Sequence, residues 1–243
     1  MHAELPFTIL LNRLLAGPVT ALLHALGIQV HDPARPIPDF VAVQILVVIL
    51  LILFFIVVRS RLSVDQPSAL QHVLEGIHGF VNGQANEIIG HGAEKYTGYL
   101  IALGMYILSC NLIGLIPSLE SPTAFPSVPL GCALVTWFYY HVQGLRANGL
   151  GYFKHFAGPV WWLAPLMFPI EVFSHLARIM SLTIRLFANM FAGDMVTLVF
   201  FSLVPLGVPL IFMGLHLGVS FIQTYIFVLL AMVYLAEATA HEH

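Results

Sequence analysis

The sequence predicts an all-α polytopic membrane protein with about five membrane helices, the last two forming a long, steeply tilted hairpin. Three observations predict it. Only 9% of the 243 residues are charged while 59% are hydrophobic, where a soluble domain carries about 25% charged residues. Long apolar runs alternate with proline-rich or basic breaks. The few ionisable groups inside those runs recur at helical spacing. So few charges cannot cover a water-facing surface of this size, which excludes a soluble helical protein. The formal net charge of −3 carries no partner signal, because the orientation of a membrane chain is written in local clusters of Lys and Arg. Cys110 and Cys132 lie in apolar runs and form neither a zinc spacing nor a secretory framework, so both read as small buried residues.

The first thirty residues are apolar but carry Glu4 and Arg13, a pattern unlike the basic start and unbroken apolar core of a signal peptide, and residues 32–39 are a proline-rich break, so that 1–39 stand apart from the rest. They read as an N-terminal interfacial segment, with residues 40–243 forming a single membrane domain. Residues 40–58 contain Gln44 as the one strongly polar side chain and nearly match the ~20 residues that cross a bilayer. Arg59 and Arg61 follow and place that end in the cytoplasm. Residues 68–89 mix apolar positions with His72, Glu75, His78, Asn82 and Glu87, which makes an amphipathic interfacial segment. A second span is predicted over 96–116. After a loop holding Pro117, Pro122 and Pro126, a third covers 128–145, with Arg146 and Lys154 behind it on the cytoplasmic side. The pair Trp161-Trp162 suits the headgroup boundary.

Length decides the next part. Residues 170–204 hold no proline; as a helix they would run roughly 52 Å, far more than a bilayer needs. A helix this long must tilt. Pro205, Gly207 and Pro209 reverse the chain, and residues 210–238 predict a second long helix. Counting crossings leaves the C-terminus cytoplasmic and the N-terminus outside.

Ionisable groups inside a membrane are costly, so their positions are informative. Glu171, Arg178 and Arg185 are spaced by seven and share one helix face. Asn189 sits at i+4 from Arg185, whereas Asp194, nine residues on, lies about half a turn round. Arg185 falls near the middle of its helix. Its guanidinium stays protonated, and a fixed cation at that depth attracts a carboxylate and favours its ionised form. On the second helix His216, Ser220 and Gln223 share a face, and Glu237 lies near the cytoplasmic end. Asp194 and His216 flank the turn from either side, so an antiparallel hairpin brings an acid and an imidazole to similar depth, as an aqueous proton path requires. Blander readings stand beside these. Arg178 can snorkel to the interface or pair with Glu171, Gln223 can be interhelical glue, Glu237 can simply face water, and His141 and His175 can be satisfied interface residues.

The string from Ser181 to Asp194, SLTIRLFANMFAGD, resembles the signature segment of the ATP synthase subunit a family, whose pattern is Arg-Leu-Phe-Gly/Ala-Asn, then Ala-Gly and an acid. The stretch from His216 through Gln223 to Tyr234, Phe80-Val81-Asn82-Gly83, and Asn111 through Pro117 resemble it too. The resemblance runs from about residue 40 to the end. It implies a non-catalytic, proton-translocating stator subunit of a rotary F-type ATP synthase. Arg185 would be the essential arginine facing the carboxylates of a ring of c-subunits. Asn189, Asp194, His216 and Gln223 would line a half-channel open to the outer side. Glu171 and Ser174, with Arg178 placed beside them, would belong to one open to the cytoplasm. The implied partners are the c-ring, the b-subunit peripheral stalk, the other ATP synthase subunits and lipid, with no nucleic acid, and neither cofactor nor metal is implied. The implied location is a bacterial inner membrane. The chain departs from the family at Phe125 and Pro126, where an acid and an Asn are frequent. Asp194 stands where Glu is common, which predicts a slightly longer reach to its partners. A sodium-coupled version of the same subunit is the nearest alternative. A stand-alone secondary transporter would call for inverted repeats and an intramembrane metalloprotease for a His-Glu-x-x-His ligand set; neither pattern is present, and neither is a phosphate-binding Gly-rich loop.

Overall fold

The computed structural model describes residues 5–25, 27, 32–63, 67–90, 92–116, 119–152, 164–203 and 207–240. All regular structure among them is helical: α1 (Pro6–Ala25), α2 (Asp39–Ser60), α3 (Ala69–Ile88), α4 (Glu94–Ile113), α5 (Ser127–Asn148), α6 (Ala164–Leu203) and α7 (Val208–Thr239). Short 3₁₀ turns, Pro122–Ala124 and Gly149–Gly151, bracket α5. The tryptophan pair, Lys154, Pro117, Pro205 and His241 to His243 lie outside the described residues.

The chain forms two compact units, Met1–Ser60 and Arg61–His243. In the first, α1 and α2 are joined by a clamp. Asn12 is buried in α1, donates Nδ2 to the Ile37 carbonyl and accepts the Ile37 N–H on Oδ1, both at 3.0 Å. One side-chain amide thus satisfies both backbone groups of a residue that has no helical partner of its own.

In the second unit α7 is the hub, packed by α6, α4, α5 and α3. Its buried positions, Phe227, Val228, Ala231, Met232 and Leu235, meet Leu182, Leu186 and Met190 of α6 and Leu100, Leu103 and Ile107 of α4 in one core. Small residues let the helices close. A Cβ on Gly144 would stand 2.6 Å from the Tyr152 ring and 2.8 Å from the Ala238 carbonyl oxygen, and one on Gly104 would stand 3.1 Å from Val228. By contrast, 11% of the apolar stretch of α6 is buried against 44% for α7, so α6 keeps an uncovered side along most of its length.

Two details differ from the sequence expectation. α6 begins at Ala164, six residues before the predicted start, with Pro165 in its first turn and Pro169 inside it. Pro165 is tolerated because the first N–H groups of a helix have no intrahelical acceptor; Pro169, the sixth residue, removes one i→i−4 hydrogen bond in the second turn without ending the helix. At 40 residues α6 runs roughly 60 Å. The five helices long and apolar enough to cross a membrane are α1, α2, α4, α6 and α7. The number is as expected but the membership differs, since α1 joins the set and α5 leaves it. Thr136, Tyr139, Tyr140, His141 and Gln143 dilute the apolarity of α5, and its buried face rests on α6 and α7. The amphipathic segment is α3, started by Ser68, whose Oγ accepts the Gln71 N–H at 3.3 Å. Cys110 and Cys132 are both buried and unpaired with each other.

Candidate functional site

The seam between α6 and α7 collects the polar residues that the apolar lengths of these helices isolate. His216, Ser220, Gln223 and Thr224 fall on the buried face of α7, as their spacing dictates. Asn189 of α6 reaches across and donates Nδ2 to Gln223 Oε1 at 2.8 Å. About a turn further along α6, Asp194 Oδ1 stands 3.6 Å from His216 Nδ1. That is too long for a direct hydrogen bond and leaves a gap that one mobile proton carrier, or a small shift, closes. His216 is 5% exposed. Gly193 makes this approach possible, because a Cβ there would stand 2.8 Å from His216 Nδ1.

Arg185 is separate from this pair. It is half-buried and, among the described residues, donates to Ser181 Oγ at 3.4 Å on the preceding turn. Among the described residues no carboxylate pairs with it; Asp194 faces His216 instead. Apolar side chains on the uncovered side of α6, Met180, Ile184 and Phe191, border it.

Residues that the sequence reading did not single out as a site extend the seam. Gln223 is followed by Thr224, whose Oγ1 accepts from Asn111 Nδ2 of α4 at 3.4 Å. Asn111 Oδ1 accepts from Thr123 Oγ1 at 2.6 Å, and Thr123 meets Ser121 Oγ at 2.7 Å. Asn111, Ser121 and Thr123 are fully buried. Gly114 lets Ser121 fold in, since a Cβ there would stand 2.7 Å from the Ser121 Cβ. Ser121 and Thr123, on either side of Pro122, are therefore built into the seam even though Phe125 and Pro126 break the family pattern. The available signal was an Asn within an apolar helix and a Ser and Thr beside a proline, each common enough alone to pass for loop chemistry.

At the far end of α6 a cleft of about 80 Å³ is lined by Tyr140, Tyr152, Glu171, His175, Arg178, Tyr234 and Glu237. Arg178 Nη2 donates to Glu237 Oε1 at 2.7 Å and its guanidinium lies over the Tyr234 ring, 4.9 Å from the centroid. Of the readings open for Arg178, pairing with Glu171 is not the one adopted; the partner comes from α7. Ser174 is half-buried and is not among the residues lining the cleft. Among the described residues no group of three or more His, Cys, Asp or Glu is placed to hold a metal ion. The arrangement thus provides two polar regions on one helix pair, separated by Arg185, and an apolar flank beside that cation.

Comparison with known proteins bears on the whole of this region. The profile of the ATP synthase A chain family matches residues 41–236. The chain is 65% identical, over 100% of both sequences, to an ATP synthase subunit a of Koribacter versatilis. It is 52% identical to one of Solibacter usitatus, over 96% of this chain and 99% of the relative, and 40% identical to one of a Geobacter strain, over 91% and 94%. Both polar regions and the cation between them lie within the matched span except Glu237, one residue beyond it, and on that extent of likeness the chain belongs to the ATP synthase A chain family.

Proposed function

We propose that this chain is the proton-carrying stator subunit of a rotary ATP synthase in a bacterial inner membrane, itself non-catalytic, with its N-terminus outside and its C-terminus in the cytoplasm. The observation that carries the reading is Arg185, a permanent cation inside a long apolar helix, with no internal carboxylate among the described residues and an uncovered apolar flank. Such a charge is costly in a membrane unless a partner supplies the anion. A ring of c-subunits bearing mid-membrane carboxylates fits that need, and the b-subunit stalk would hold this chain against the ring's torque.

In this mechanism a proton enters from outside through the seam of Asp194, His216, Asn189 and Gln223 and neutralises a ring carboxylate. The neutral acid then travels through lipid, where an ionised one is disfavoured. Near the end of the turn it loses its proton, past Ser174, into the cleft of Glu171 and Arg178. Arg185 favours the ionised form at the junction and keeps the two paths apart, so that protons cross only by way of the ring. Each charge moved delivers about 2.3 kcal/mol per 100 mV, available as torque. The presence of His216 favours protons over sodium as the coupling ion.

The test is Arg185→Ala in inverted membrane vesicles containing the whole complex. ATP-driven proton pumping should stop while the attached catalytic sector still hydrolyses ATP. Pumping at the wild-type rate would overturn the reading.

A further inference from the structure

The cleft beside Glu171 contains more proton chemistry than its carboxylates. Tyr140 Oη lies 3.0 Å from His175 Nδ1 and Tyr152 Oη lies 2.7 Å from His141 Nδ1. The two imidazoles stand 4.7 Å apart, centroid to centroid, and Tyr140 stacks beside both. Four side chains from α5, α6 and the turn after α5 thus form two interlocked His–Tyr pairs, and Tyr140, Tyr152 and His175 reach the cleft wall. Glu171 and His175, four apart on α6, lie on one face.

We propose that His175 and His141 act together as a one-proton relay between this cleft and the cytoplasm, a role that rests on the stator reading above. The charges facing the pair set the number of protons. Glu171 and Arg178 come from α6, Glu237 and Tyr234 from α7, Tyr140 from α5, and Tyr152 from the turn after it. Arg178 is tied to Glu237, so among the described residues two carboxylates against one guanidinium leave a single negative charge, which one imidazolium balances. A second imidazolium 4.7 Å away would be repelled by the first and by Arg178. The proton binds a ring nitrogen of one histidine and passes to the other or to water; no electrons are exchanged and no co-reactant beyond water is needed. The tyrosines act as positioning residues by fixing the imidazole planes.

The experiment is ATP-driven pumping in inverted vesicles of the intact complex, with external, that is cytoplasmic-side, pH varied from about 5 to 8, the range in which an unperturbed imidazole changes charge. His175→Gln can still hydrogen-bond Tyr140 but cannot carry the proton. Pumping should fall about ten-fold, less than the roughly 10²- to 10⁴-fold typical of a positioned acid–base group, because water also reaches the cleft. The fall should be steepest at the alkaline end, with ATP hydrolysis by the detached catalytic sector unchanged. His141→Gln should behave alike, and the double variant should be no slower than either single, as groups acting as a unit require. Tyr140→Phe should give a smaller loss with the same pH trend. Wild-type pH profiles in both histidine variants, or losses that multiply in the double variant, would overturn the relay. If Arg185→Ala stops pumping as expected while these profiles stay wild-type, the relay alone fails and the stator reading stands.

Discussion

Gly193 shows how much one missing methyl group decides. In a helix interior alanine is favoured over glycine by about 1 kcal/mol, so Gly193→Ala would ordinarily strengthen α6. Here the added Cβ would stand 2.8 Å from His216 Nδ1 and force the ring away from Asp194. Overpacking of this kind costs about 1–3 kcal/mol, and if the cost falls on the transport step it slows pumping by roughly one to two decades. Asp194→Asn, which keeps the shape and removes the acid, should slow pumping without changing the amount of assembled complex. Both follow from vesicle acidification measured alongside immunodetection of the complex. Wild-type acidification in both variants would mean that the Asp194–His216 contact carries no protons.

At the level of the helices, the beginning of α6 and the end of α7 are joined by Arg178, which meets Glu237 at 2.7 Å and the Tyr234 ring at 4.9 Å. The two contacts differ in value. The Glu237 side chain is 57% exposed, and ion pairs with so much solvent are worth about 0–1 kcal/mol. Glu237→Gln should therefore leave the thermal inactivation rate of the complex almost unchanged. Arg178→Ala loses the ring contact and the packing of its stem as well and should inactivate measurably faster. Equal behaviour of the two variants would count against the division. The sequence displayed this pair of helices well, because apolar length and the seven-residue spacing of Glu171, Arg178 and Arg185 are one-dimensional properties. It did not display the partner of Arg178, since Glu237 is 59 residues away and only the hairpin's register brings the two together. The start of α6 was hidden for another reason: Pro165 and Pro169 read as breakers unless one already knows that they occupy its opening turns. The Asn111–Thr123–Ser121 network was hidden because its members come from two elements and converge only through the close approach at Gly114.

For the whole molecule, the contrast between a well-covered α7 and a poorly covered α6 is the property that assembly must answer. Met180, Ile184, Phe191 and Met195 are 54, 53, 43 and 44% exposed, while Leu182 on the opposite side is 3% exposed. In membranes holding the complete synthase, a cysteine at Ile184 should cross-link to a neighbouring chain under mild oxidation when that chain also carries a mid-membrane cysteine. A cysteine at Leu182 should not. Cross-linking from Leu182 alone would show that the partner lies on the other side. α1, in the segment read from sequence as interfacial, is long and apolar enough to cross a membrane by length and composition; its Asn12, which clamps Ile37, gave no outward sign of being an inward-facing fastener.

Ser181 engages Arg185 at 3.4 Å, from one turn away. A guanidinium has five N–H donors, so most of its bonding capacity is left for visitors. Among the described residues, an acid that arrives there displaces no rival anion, and one that departs leaves no internal ion pair to be remade. In the stator role proposed above this would be a bearing with a detent but no parking brake: the length of each pause would be set by the passing acid and its proton, and not by a bond that this chain must first release.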